Sequence, residues 1–181
     1  MEMPILLSDA VAQLPQWALG PPKHNGQMSI SRITCKAGRP IVQLLPRDRF
    51  GEIYTLFEPS VFRGTGSEPR KGIVFAAPED VIDDIRKLED WAKGQVASLN
   101  PVWLSAIKET EGRVKAKISP ATCSVVGRYG AAELPQNWRG LPVIPIIEVR
   151  GIYSQKTGAG LILEVTHIMV GEEPIEQCDF L

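Results

Sequence analysis

Arg113, Lys115 and Lys117 stand two residues apart in the run RVKAKI. As a strand, that run projects all three cations to one face, where they could neutralise a row of phosphates. The same alternation also describes a solvated outer strand face. Tyr54, Trp103, Tyr129, Trp138 and Tyr153 fall in or beside turn-rich segments near Arg and Lys, where base stacking or cation–π contact is feasible. Sequence-tolerant binding of a single strand needs both ingredients, cations along the phosphates and flat faces worth ~1–3 kcal/mol per stacked base. The candidate phosphate contacts are Arg113, Lys115 and Lys117, with Lys36, Arg128, Arg150 and Lys156 as further cations. The stacking candidates are Tyr153, Trp103 and Trp138, although the two tryptophans could instead anchor loops to the core.

Other chemistries find less support. The run PIIEVRG resembles the hydrophobic-Glu-x-basic half of some metal-dependent nucleases, but no upstream acidic residue completes it, and Glu148 has a simpler role as a cross-strand partner. His24 lies in a Pro/Gly-rich stretch, and His167 falls on the apolar face of an alternating run, where a structural histidine is the simpler reading. No GxSxG, HExxH or P-loop pattern occurs, and RGTGSEPRKG lacks the spacing of a phosphate loop. Cys35, Cys123 and Cys178 are odd in number and far apart, so neither a disulfide framework nor a zinc site is signalled. The expectation is a non-enzyme with no metal and no cofactor.

A chain of 181 residues with a net charge of −1 can bury one sizeable core, and balanced charge removes the simplest argument for a polyanionic partner. Distribution is more informative. Residues 112–160 carry seven basic and two acidic residues, whereas acids gather at Glu79, Asp80, Asp83, Asp84, Glu89 and Asp90, and again at Glu172, Glu173, Glu176 and Asp179. The N-terminal stretch MEMPILLSDAVAQL has no basic n-region, and nowhere are there about 18 uninterrupted apolar residues. A soluble, intracellular protein without a membrane partner is expected.

The elements that must position these residues are mostly strands. Pro78 fits a first helical position, Glu79 and Asp80 suit a helix N-terminus, and Val81, Ile85, Leu88, Ala92, Val96 and Leu99 recur at helical spacing. This predicts a helix over 78–99. Strands are predicted at 28–36, 40–45, 52–57, 71–77, 113–119, 123–126, 142–153 and 160–170. One helix among many short strands points to a small barrel or sandwich plugged by that helix. Residues 1–26 read as an N-terminal arm, 27–170 as the domain and 171–181 as an acidic tail.

In the last strand Leu161, Leu163, Val165 and Met169, with His167 among them, form the expected core face. On its partner Ile147, Val149, Gly151 and Tyr153 form one set, and Ile146, Glu148, Arg150 and Ile152 the other. A turn at KTGA would set Arg150 opposite Glu164. Phe57 and Phe75 sit in apolar strands and read as core.

The order of strand, helix, NPxW, basic strand VKAKI, a loop with Trp138 and Gly140, PIIEVRGIY and GAGLILEVTHIMV resembles the T7-type phage single-stranded-DNA-binding proteins. The likeness spans roughly residues 71–181. The resemblance implies an OB-like antiparallel β-barrel capped by helix 78–99, a possible homodimer, and an acidic tail (Glu172, Glu173, Glu176, Asp179, Phe180) that competes with DNA and docks replication proteins. The tail departs from the family in being modestly acidic and ending in Leu181. The functional expectation is therefore protection or presentation of single-stranded DNA in replication or recombination. The alternative is an assembly or interaction β-domain, with a metal-dependent nuclease behind it.

Overall fold

The last two apolar runs form the spine of the molecule, a computed structural model describing residues 3–44, 53–57, 60–61, 71–99, 101–119, 122–127, 130–133 and 135–170. In chain order the elements begin with β1 (Ile5–Leu6), α1 (Leu7–Ala12), β2 (Ala18–Asn25), β3 (Met28–Thr34), β4 (Ile41–Gln43), β5 (Tyr54–Thr55), β6 (Ser60–Val61) and β7 (Lys71–Ala76). Then come α2 (Glu79–Gln95), β8 (Ile107–Lys108), β9 (Arg113–Ile118), β10 (Ser124–Gly127), β11 (Gly130–Ala131), β12 (Val143–Gln155) and β13 (Gly158–Val170).

β12 and β13 are rich in Ile, Val and Leu, residues that fit a pleated, buried surface. They pair as one antiparallel hairpin closed at Lys156 and Thr157, with Gln155 opposite Gly158. Two irregularities interrupt the ladder. Ile146 faces His167 but Ile147 faces Val165, leaving Thr166 unopposed; Val149 faces Leu163 but Gly151 faces Ile162, leaving Arg150 unopposed. An extra residue in one strand moves every later side chain to the other face. The core therefore takes Ile147 and Val149 but then Ile152, and Leu161, Leu163 and Val165 but then Ile168. The strict alternation expected from sequence fails at both points: Met169 and His167 are half-buried, while Ile168 is fully buried.

The hydrogen-bonded strand order is β1-β4-β12-β13-β9-β7-β5, with β3 and β2 added beside β12, β10 and β11 beside β13, β6 on β7 and β8 on β9. Gly151 admits β3, because a Cβ there would stand 2.4 Å from the Ser31 carbonyl oxygen. The sheet is mixed, since β13 runs parallel to β9 and β10, and β1 parallel to β4.

A mainly β fold with one main helix holds, but the OB-like closed antiparallel barrel does not. The strand path is open, ending on β1 and β5. β5 meets the segment ahead of β12 through the single Tyr54–Pro142 bridge and a few backbone hydrogen bonds around it, rather than through a ladder of strand pairs. A closed barrel needs a consistent stagger around the whole ring.

Residues 1–26, expected as an arm, supply β1, α1 and β2, and place Leu7, Ala10, Leu14 and Trp17 in the core. β1 lies on β4 and β2 on β3. The edge strand β2 carries Pro21 and Pro22, which lack the N–H that a further strand would need.

α2 begins one residue later than predicted, with Pro78 as its N-cap. Glu79 and Asp80 occupy its positive first turn and Lys93 its last. Val81, Ile82, Ile85, Leu88 and Ala92 are buried, while the outer face carries the pairs Arg86–Asp83 (2.6 Å), Lys87–Asp84 (3.7 Å) and Lys93–Asp90 (3.9 Å). The ring of Trp91 meets Trp17 edge to face, with centroids 5.9 Å apart at 82°. The helix stops at Gln95, and Leu99, expected on its apolar stripe, is 72% exposed. Phe75 is core as expected, but Phe57 is 51% exposed.

Candidate interaction surface

β9 and β13 share only the register pairs Glu164↔Lys117 and Val165↔Ile118. Toward the hairpin tip the two strands separate, and residues 102–106 close the gap. Leu104 N–H donates to the Ala159 carbonyl (2.7 Å), Ala159 N–H to Val102 (2.9 Å) and Lys115 N–H to Ala106 (2.8 Å). Gly158 and Gly160 permit that approach. A Cβ on Gly158, at φ +148°, would lie 2.4 Å from the Val102 carbonyl oxygen, and one on Gly160 2.6 Å from that of Leu104. This is the physical requirement behind the two glycines.

The strap is fixed from beneath by Glu89. Its carboxylate, buried on α2, accepts hydrogen bonds from Trp103 Nε1 (3.1 Å), Ser105 Oγ (2.5 Å) and the Ala106 N–H (3.0 Å). Three donors on one buried carboxylate offset the cost of removing it from water. Sequence reasoning placed Glu89 only among the acids of a helix. Its place in the Val81–Ile85–Leu88–Ala92 register, one residue beyond Leu88, was the available signal of burial.

Between the separated strands lies a groove of about 380 Å³ floored by Leu161, Leu163 and Ala116 and flanked by Met28, Leu104 and Tyr153. Lys115 and Lys117 also line it, and among the described residues no carboxylate does. Burial, and then the charge of Glu89, raise the Tyr153 phenol above its ordinary pKa. Along the strap Trp103 turns inward while Val102 (68% exposed) and Leu104 face solvent, as does Leu99 just before them.

Three of the predicted nucleic-acid contacts, Lys115, Lys117 and Tyr153, thus meet in one groove. Arg113 lies on the same outer face of β9, paired with Glu111 at 3.2 Å and with its guanidinium 5.6 Å from the Phe57 ring centroid. Arg150 is paired with Glu164 at 2.6 Å. Trp103 is held by Glu89, with Lys93 6.0 Å from its ring centroid, and Trp138 is 6% exposed within the core, its carbonyl accepting from Thr55 Oγ1. Lys36 sits in the turn bridged by Cys35 and Gly38, and Lys156 at the hairpin tip next to the groove-lining Gln155; neither lines the groove itself. Arg128 and the tail residues Glu172, Glu173, Glu176, Asp179 and Phe180 lie outside the described residues.

No protein-family model and no curated protein matches this chain. With the sheet open and no match to any family, the likeness to T7-type single-stranded-DNA-binding proteins is overturned. With it falls the reading of single-stranded-DNA binding in replication or recombination. The geometry agrees: Trp103 and Trp138 serve the fold, and Arg150 and Arg113 are engaged by carboxylates. Among the described residues no helix is long and apolar enough to cross a membrane.

Proposed function

We propose that this chain is a non-catalytic interaction β-domain that docks a partner polypeptide in the groove between β9 and β13. The supporting observation is the hydrogen-bonded strap beside that groove. Leu99, Val102 and Leu104 are exposed within six residues of chain, while Glu89 accepts from the Trp103 and Ser105 side chains and the Ala106 N–H on either side of Leu104. Exposed apolar clusters mark interaction surfaces, and a preorganised surface loses little entropy on binding. The partner is a short segment alternating apolar and acidic residues. Its apolar side chains meet Leu104 and the leucine floor, and its carboxylates meet Lys115, in a groove with no acid among its described lining residues.

The test is titration of the full chain with a capped hexapeptide alternating leucine and glutamate, read by isothermal calorimetry. A leucine–lysine hexapeptide is the control. Saturable binding of the acidic peptide alone, weakened by Leu104→Ser, is the expected result. Equal responses to both peptides, or none to either, overturn the reading.

A further inference from the structure

A second, more polar pocket of about 240 Å³ opens on the other half of the central hairpin, where β3, β12 and β13 meet; Arg32, Arg39, Arg150, Glu148 and Glu164 line it. Glu148, 4% exposed, accepts from Arg39 Nε at 2.6 Å, and Glu164 accepts from Arg150 at 2.6 Å. The extra residue in β12 is Arg150 itself, so the irregularity delivers its guanidinium to Glu164. Arg32 is brought to the same place because it pairs with Gly151, the glycine that admits β3. The Arg32 side chain is exposed and makes no hydrogen bond or ion pair within the described structure.

Two carboxylates alone would repel an anion. Among the described residues that line the pocket each carboxylate is met by an arginine, and Arg32 adds a further positive charge, with the spare N–H groups of Arg150 beside it. A guanidinium fork pairs best with a planar carboxylate or a phosphate. The volume suits a small ligand. We propose that this pocket binds a small oxyanion, the phosphate or carboxylate group of a small molecule, with Arg32 as its principal contact and Arg150 as the second. Glu148 and Glu164 hold the arginines in position and, by competing for them, set the affinity.

The cluster predicts effects of opposite sign, which a purely structural ion-pair network does not. The full chain is titrated calorimetrically with inorganic phosphate and, separately, with acetate at constant ionic strength. Saturable binding of phosphate assigns a phosphate ligand, and binding of acetate with equal or greater affinity a carboxylate one; either supports the proposal. Arg32→Gln, at an exposed position, is expected to weaken binding about tenfold, the loss of one charge-assisted contact. Glu164→Gln, which frees Arg150, is expected to tighten it several-fold, with circular dichroism confirming an unchanged fold. Absence of saturable binding by either anion, indifference to Arg32→Gln, or weaker binding by a folded Glu164→Gln protein overturns the proposal.

Discussion

Glu148 stands directly opposite Glu164 across the central hairpin, and the two like charges are tolerated because each is met by an arginine at 2.6 Å, Arg39 for the first and Arg150 for the second. Like charges directly opposite on adjacent strands are destabilising when unmatched. The arginines arrive by different routes: Arg39 from the turn before β4, Arg150 from the irregularity in β12.

Removing Arg39 leaves Glu148 buried without its ion-pair partner. Because Arg39 is itself 51% exposed, Arg39→Gln is expected to cost about 1–3 kcal/mol, below the range for fully buried pairs. The double variant Arg39→Gln/Glu148→Gln is expected to recover part of that loss. Urea unfolding midpoints of the two variants check this, and a double variant no more stable than the single one contradicts it.

The strap beside the groove depends on glycine at 160. Gly160→Ala places a Cβ 2.6 Å from the Leu104 carbonyl oxygen and 2.8 Å from Tyr153 Oη. The strap must shift, at about 1–3 kcal/mol. Hydrogen exchange is the sensitive measurement. The Leu104 and Ala159 amides, which close the gap, are expected to lose protection, while those at Glu164 and Val165 keep theirs.

The two faces of β13 exchange roles at Thr166. Ile168→Ala is expected to cost about 2–5 kcal/mol, as for a fully buried aliphatic residue, and Met169→Ala less than about 1.5 kcal/mol. The reverse order would restore the uninterrupted alternation that the sequence alone suggests.

Cys123 reports on its own burial. Removal from water pushes its thiol up to about 11 from 9.0. Burial disfavours the thiolate, so the unfolded chain ionises first. The resulting stability is fully present below pH 9.0 and is lost as pH rises toward about 11. Alkylation by iodoacetamide, followed by peptide mapping, is expected to be slow at Cys123 at neutral pH and to accelerate roughly tenfold per pH unit until that value. A rate that levels off near pH 9 contradicts it.

Much of the secondary structure was legible in the residues. The helix at Glu79–Gln95 followed from its acidic first turn and the spacing of Val81, Ile85, Leu88 and Ala92, and the strands β3, β7, β9, β12 and β13 from β-branched runs between turns. These are local signals, fixed by the period of an element and the chemistry of its ends. The candidate surface was legible only in fragments. Lys115, Lys117 and Tyr153 were singled out, but the carboxylate that organises their surroundings, Glu89, read as one more surface acid because its hydrogen-bond partners lie 14 to 17 residues away.

By itself the sequence determined a mainly β chain with one principal helix, the outward row of Arg113, Lys115 and Lys117, and the apolar character of the closing hairpin, since each depends on residue type and period alone. Tertiary structure decided that the sheet stays open, that residues 5–25 belong to the body, and which residues face the core beyond Arg150 and Thr166. Those outcomes turn on one-residue slips in strand register and on backbones meeting at Gly151, Gly158 and Gly160. A single unopposed residue reverses a strand's faces while changing its composition hardly at all.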